Sequence, residues 1–133
     1  AKEIMRPKTA AKIYRRICAN EGKIFLSIRM HKPWLSIAEA TGLLHGNLGV
    51  YQLADEHQQV LYIGYAGGKS LFGLKGEVGQ ALQRLPQACL VRWEVTSAYL
   101  TRYKELLMLH RHDFGELPDN NEPLPLGVLR PAG

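Results

Sequence analysis

Gly49-Val50-Tyr51-Gln52-Leu53-Ala54 and Val60-Leu61-Tyr62-Ile63-Gly64-Tyr65 are two short runs of β-branched, aromatic and small residues. The polar pentapeptide Asp55-Glu56-His57-Gln58-Gln59 joins them. Runs of this kind on either side of a turn-sized polar insert predict a β-hairpin. Tyr51 and Tyr62 each stand two residues from a glycine, at comparable depth on the two paired strands.

Upstream of the hairpin, Ser36-Ile37-Ala38-Glu39 has the form of a capping box. It predicts a short helix to about Leu44, followed by a turn at His45-Gly46-Asn47. Downstream, Ala66-Gly67-Gly68-Lys69-Ser70 is a loop by composition. Only three residues separate Gly64 from Gly68-Lys69-Ser70, one short of a phosphate-cradling loop, which disfavours nucleotide binding. Leu71 to Leu85 reads as a helix with Leu74, Val78, Leu82 and Leu85 on its apolar side, ended by Pro86. Its glycines, Gly73, Gly76 and Gly79, weaken the first half and put the regular start near Lys75. Cys89 to Val95 alternates as a third strand with Cys89, Val91, Trp93 and Val95 on one face. Ser97 reads as the N-cap of a helix from Ala98 to about His112, with Leu100, Tyr103, Leu106, Leu107 and His110 as its stripe and Phe114-Gly115 as its stop. The tail from Leu117 to Pro125 is rich in turn residues.

The N-terminal part has a different character. Lys8 to Asn20 reads as an amphipathic helix with Ala10, Ile13, Tyr14, Ile17 and Cys18 on one stripe, and Ile24 to Met30 as a strand. Residues 1–34 hold nine Lys or Arg against Glu3 and Glu21, whereas the other 99 residues hold eight basic and ten acidic side chains. Such asymmetry fits a basic face offered to a polyanion, with Lys12, Arg15 and Arg16 as backbone contacts; the plainer alternative is a solvated helix face.

The chain as a whole sets the frame. Its 133 residues suit one domain, and 46% hydrophobic with 22% charged residues is ordinary for a soluble globular protein. No apolar run is long enough to span a bilayer, and Ala1 to Arg6 lacks the apolar core of a secretory signal. Cys18 and Cys89 are too few for a disulfide framework or a zinc site. These features lead us to expect a reduced cytoplasmic protein with no membrane partner, its oligomeric state open. The expected division is a basic extension over 1–47 packed on the core, a domain over 48–122, and a tail over 123–133.

The pair Gly49-Val50-Tyr51 and Tyr62-Ile63-Gly64, with its spacing and the order of elements after it, resembles the GIY-YIG nuclease family across residues 48–122. Val50 stands where the family name has isoleucine. The resemblance implies an α+β fold: a small three-stranded antiparallel sheet flanked by helices, here carrying the basic helical N-terminal extension. It implies that Tyr51 and Tyr62 line an active site and that Gly64 is the tight-turn glycine beside the substrate. Glu105 would hold one divalent metal ion, magnesium or manganese, and Asn120 would lie in the turn beyond. The family's arginine falls at Phe72 in this chain. Lys75 is the substitute cation and Lys69 a further phosphate contact. Lysine offers a point charge without the fork of arginine, so the exchange is not conservative.

Two functions follow from that resemblance. One is a metal-dependent DNA endonuclease. In it a tyrosine of lowered pKa orients or activates water, and the cation and metal neutralise the phosphate. The other is a catalytically degenerate GIY-YIG-like module that binds nucleic acid or a protein partner. A third, structural reading leaves the tyrosines as packing residues.

Overall fold

The computed structural model describes residues 29–122. Within them the order is β1 (Leu35–Ser36), α1 (Ile37–Leu43), β2 (Gly49–Ala54), β3 (Val60–Ala66), α2 (Gly73–Arg84), β4 (Leu90–Val95) and α3 (Tyr99–Phe114). The strands form one open antiparallel sheet in the order β1-β4-β2-β3, so the fold is α+β. The helix expected over Lys8–Asn20, the strand expected from Ile24 apart from Arg29 and Met30, and the tail after Glu122 lie outside the described residues. So do Lys12, Arg15 and Arg16. Arg29 and Met30 belong to neither helix nor strand.

The sheet has four strands where three were expected. The additional one, β1, pairs Leu35 with Val91 and Ser36 with Leu90. Two residues are too few to display an alternation, which is why this strand left no trace in the sequence. It is short because Ser36 also caps α1. Ser36 Oγ accepts from the Glu39 amide at 3.2 Å, and the Glu39 carboxylate receives the Ser36 amide in return, completing the expected capping box.

The hairpin has the expected strands and a register in which Tyr51 faces Gly64 and Leu53 faces Tyr62. Because successive side chains alternate, Tyr51, Leu53, Tyr62, Gly64, Val91 and Trp93 share one face of the sheet. On that face Tyr51, Leu53 and Val91 form a core with Ala40 and Leu44 from the α1 region and Leu74, Val78 and Ala81 of α2. The opposite face buries Val50 and Ile63 against Met30 and against Leu106 and Leu107 of α3. The sheet is therefore covered on both sides, α1 and α2 on one and α3 on the other.

Three details depart from the sequence reading. Helix α2 begins at Gly73, earlier than Lys75, after Phe72 in the left-handed region at φ 63°. Helix α3 is not capped by Ser97: its N-cap is Ala98, whose amide donates to Thr96 Oγ1 at 3.1 Å. Leu100 was placed in the buried stripe of α3, yet it is 48% exposed because it occupies the first turn, beside the strand ends.

The tail after α3 returns to protect the free edge of β3. Asn120 Nδ2 donates to the Leu61 carbonyl at 3.0 Å. Asn121 takes the Ile63 amide on Oδ1 at 2.9 Å and donates to the Ile63 carbonyl at 2.8 Å. An uncovered edge strand would invite pairing with another chain, and these two asparagines occupy it. No helix among the described residues is long and apolar enough to cross a membrane.

Candidate functional site

Adjacent positions on the hairpin bring the two motif tyrosines together. The Tyr51 and Tyr62 rings lie 6.1 Å apart, tilted by 50°. Tyr51 is buried, and its hydroxyl reaches the Glu77 carbonyl of α2 at 3.5 Å, a long contact. Tyr62 is half-buried, with the Arg84 guanidinium 5.5 Å above its ring. Gly64 lies under Tyr51, where a Cβ atom would meet the ring. Glu77 and Arg84 are seven residues apart, two turns of helix, so they line the same flank of α2.

Burial drives the Tyr51 phenol far above its ordinary pKa of about 10, and Tyr62 and Glu77 push it the same way while Arg84 opposes them. A base would need the reverse shift; this phenol keeps its proton. The consequence for stability is alkaline. Below pH about 10 folded and unfolded chains both hold the Tyr51 proton; above it the unfolded chain releases the proton first and stability falls. The slope reaches about 1.4 kcal/mol per pH unit for one such group. Tyr103, also raised by burial and by Tyr62, adds to it in the same direction. Tyr51→Phe should therefore flatten the loss of stability between about pH 10 and pH 12, read by urea unfolding at stepped pH. An unchanged slope would mean that Tyr51 titrates normally.

Glu105 does not join the tyrosines. It lies on α3, across the sheet from Tyr51. The Arg102 guanidinium holds it together with Glu94: Nε and Nη2 bind the two Glu94 oxygens at 2.7 and 3.0 Å, and Nη1 binds Glu105. Burial alone would lower the Arg102 pKa, but the hydrogen bonds and charges of Glu94 and Glu105 outweigh it and raise it. A divalent ion at Glu105 would stand beside this guanidinium, so the donor set here does not fit the metal that the resemblance implies. Among the described residues, no group of three His, Cys, Asp or Glu side chains could hold a metal ion.

The cations divide as well. Lys75 and Arg84 are nine residues apart, two and a half turns, and so project from opposite flanks of α2. Lys75 is exposed on the α1 side, bordering Ile37, Thr41 and Gly79, whereas Arg84 reaches Tyr62. The expected spacing falls on Phe72, with Lys75 as the substitute cation; the phase of the helix puts Arg84 beside Tyr62 instead. Asn120 holds the Leu61 backbone, and its neighbour Asn121 was missed because the two stand side by side in sequence. Lys69 is exposed in a tight loop in which the Gly67 amide donates to Ser70 Oγ and the Gly68 amide to the Tyr99 hydroxyl.

A different cluster forms where β2 begins and β3 and β4 end. Phe72 and Leu71 are 72% and 69% exposed, and Leu43, Val95 and Leu100 are exposed at the same end of the sheet. The segments that build this end, 41–48, 65–75 and 95–101, contain Lys69, Lys75 and His45 and no Asp or Glu. A bulky residue in the left-handed region is strained. The surrounding backbone holds Phe72 there: the Leu74 and Lys75 amides donate to the Asn47 and His45 carbonyls at 2.8 and 3.0 Å. On the α3 face of the same sheet end, Tyr65 stacks on Tyr99 at 5.7 Å with the planes 15° apart.

No curated protein matches the chain. Residues 28–113 match a family known only as a domain of unknown function. That match covers well over half of the sequence, so the protein belongs to the family described as Domain of unknown function (DUF7508).

Proposed function

We propose that this protein is a GIY-YIG-like module that binds nucleic acid without cutting it, in the cytoplasm. The observation that carries this reading is the strained, exposed Phe72 at a sheet end whose segments 41–48, 65–75 and 95–101 hold Lys69 and Lys75 and no Asp or Glu. Phosphate backbone seeks the lysines, and an outward aromatic ring offers a base a stacking surface. The basic residues of segment 1–34 other than Arg29, whose charge Asp113 balances, would add to that attraction. Strand cutting of the GIY-YIG kind asks Tyr51, Tyr62, Glu105 and a cation to surround one phosphate. The tyrosines and Glu105 lie on opposite faces, which favours the binding reading over the endonuclease.

Fluorescence anisotropy with labelled single-stranded and duplex oligonucleotides, at stepped salt, tests the proposal. Affinity should fall as salt rises. Phe72→Ala should weaken binding of the single strand by about 5- to 100-fold, the value of one lost base stack. Lys69→Ala with Lys75→Ala should reduce the salt slope. Incubation with magnesium or manganese should leave the strands intact. Cutting that disappears in Glu105→Ala would restore the endonuclease, and salt-independent binding would point to a protein partner instead.

A further inference from the structure

Gln52 is the polar residue of the central strand, and it lies on the face covered by α3. It is 5% exposed. Its Oε1 accepts from Arg92 Nε at 2.7 Å, and the Arg92 guanidinium lies 4.2 Å over the Trp34 ring. Arginine has no acceptor, so the carboxamide oxygen must face it and the NH2 group must point away. Among the described residues nothing accepts from that NH2. Buried donors are otherwise almost always paired.

Gln52 borders a cavity of about 370 Å³ whose apolar walls are Trp34, Val60, Leu106, Leu109 and Phe114. Exposed His57 and Asp119 stand at its rim. A largely apolar hollow of this size with a fixed polar group is the usual form of a small-molecule site. It lies at the hairpin-turn end of the molecule and does not overlap the Phe72 cluster, so it stands apart from the nucleic-acid reading.

We propose that this cavity binds a small molecule with an apolar body and one carbonyl-type oxygen, which accepts a hydrogen bond from Gln52 Nε2. The body fills the space between α3 and the sheet. The oxygen supplies the acceptor that the carboxamide lacks, so the site selects for an acid or amide head over a plain hydrocarbon.

The test is titration of the full chain with 4-phenylbutyrate, 4-phenylbutyramide and butylbenzene, followed by 15N–1H and methyl NMR. The two headed probes should shift the Gln52 NH2 signals and the Leu106 and Leu109 methyls saturably. Butylbenzene should move the methyls with little effect on the NH2 pair. Gln52→Leu should weaken both headed probes at least tenfold while butylbenzene still binds, and Leu109→Trp, which fills the hollow, should abolish all three. Equal effects of acid and amide mean a neutral carbonyl suffices; a stronger acid means charge contributes. The proposal fails if wild-type Gln52 signals move no more than surface residues. It fails equally if NOEs in the ligand-free protein show residues 1–28 already seated against Leu109. The unaltered protein decides the matter even where a variant does not fold.

Discussion

Replacing Asp113 with alanine should lower the unfolding free energy by about 3–5 kcal/mol, the cost of stranding a buried charge. Asp113 receives Arg29 through both arms of the guanidinium, Nε to Oδ2 at 2.9 Å and Nη2 to Oδ1 at 2.7 Å. The two side chains are 7% and 5% exposed. A carboxylate in the last turn of a helix meets the negative end of the helix dipole, so α3 alone gives Asp113 no reason to be there. The reason is Arg29, which the carboxylate pins against the α3 face of the sheet beside Met30. The whole domain has only about 5–15 kcal/mol to lose. Urea unfolding of Asp113→Ala, Arg29→Met and Arg29→Met with Asp113→Leu would read the balance. The double variant should recover most of the loss, because an apolar pair of similar volume leaves no charge uncompensated. A loss under about 1 kcal/mol in Asp113→Ala would show that water reaches the pair and screens it, as in a surface bridge.

The same pair corrects the charge argument. Arg29 counted among the nine cations of the basic segment, yet it is buried against Asp113 and does not face a polyanion. A separation of 84 residues gives the sequence no means of showing this. What was legible was local. The capping box, the hairpin runs and the third strand read over Cys89 to Val95 each follow from neighbours within a few residues, and each appears in the fold, the strand from Leu90 and with Val95 exposed at its end. The glycine stop of α3 does too: Gly115 takes a left-handed φ of 82°.

The site was less legible because it depends on faces. Glu105 was matched by its place along the helix, but which side of the sheet that helix covers is a tertiary outcome. Lys75 and Arg84 differ by half a helical turn, a signal that was available once Glu77 and Tyr51 were known to meet. Gln52 also had a signal: one polar residue inside the otherwise apolar run from Gly49 to Ala54. A polar side chain on a central strand asks for a partner, and Arg92 supplies only half of what the carboxamide can use. Phe72 stood where the family has arginine, and only its left-handed backbone and its exposure give it a part in the binding proposed above.

Gly64→Ala should cost about 3 kcal/mol, the upper end of what overpacking a core produces, and the cost should depend on what occupies position 51. A Cβ at Gly64 would stand 2.4 Å from both Cζ and the hydroxyl oxygen of Tyr51 and 2.8 Å from Cε1. The ring has nowhere to go: Tyr51 is 1% exposed and packed among Leu53, Leu74 and Val78 between the sheet and α2. Tyr51→Phe retains Cζ, so it should give no relief. Tyr51→Leu removes the clashing atoms and leaves space that an alanine methyl can share, so in that background Gly64→Ala should cost less than about 1 kcal/mol. The coupling, about 2 kcal/mol, is measurable by urea unfolding of the four proteins in the cycle. Additive losses would mean that β3 shifts to accept the methyl and that the two positions are independent. Coupling would explain why a tyrosine on one strand and a glycine on the next occur together: the ring lies across the strand that has no side chain there. A pairing that packing alone demands reports the fold, whether or not the domain cuts a strand.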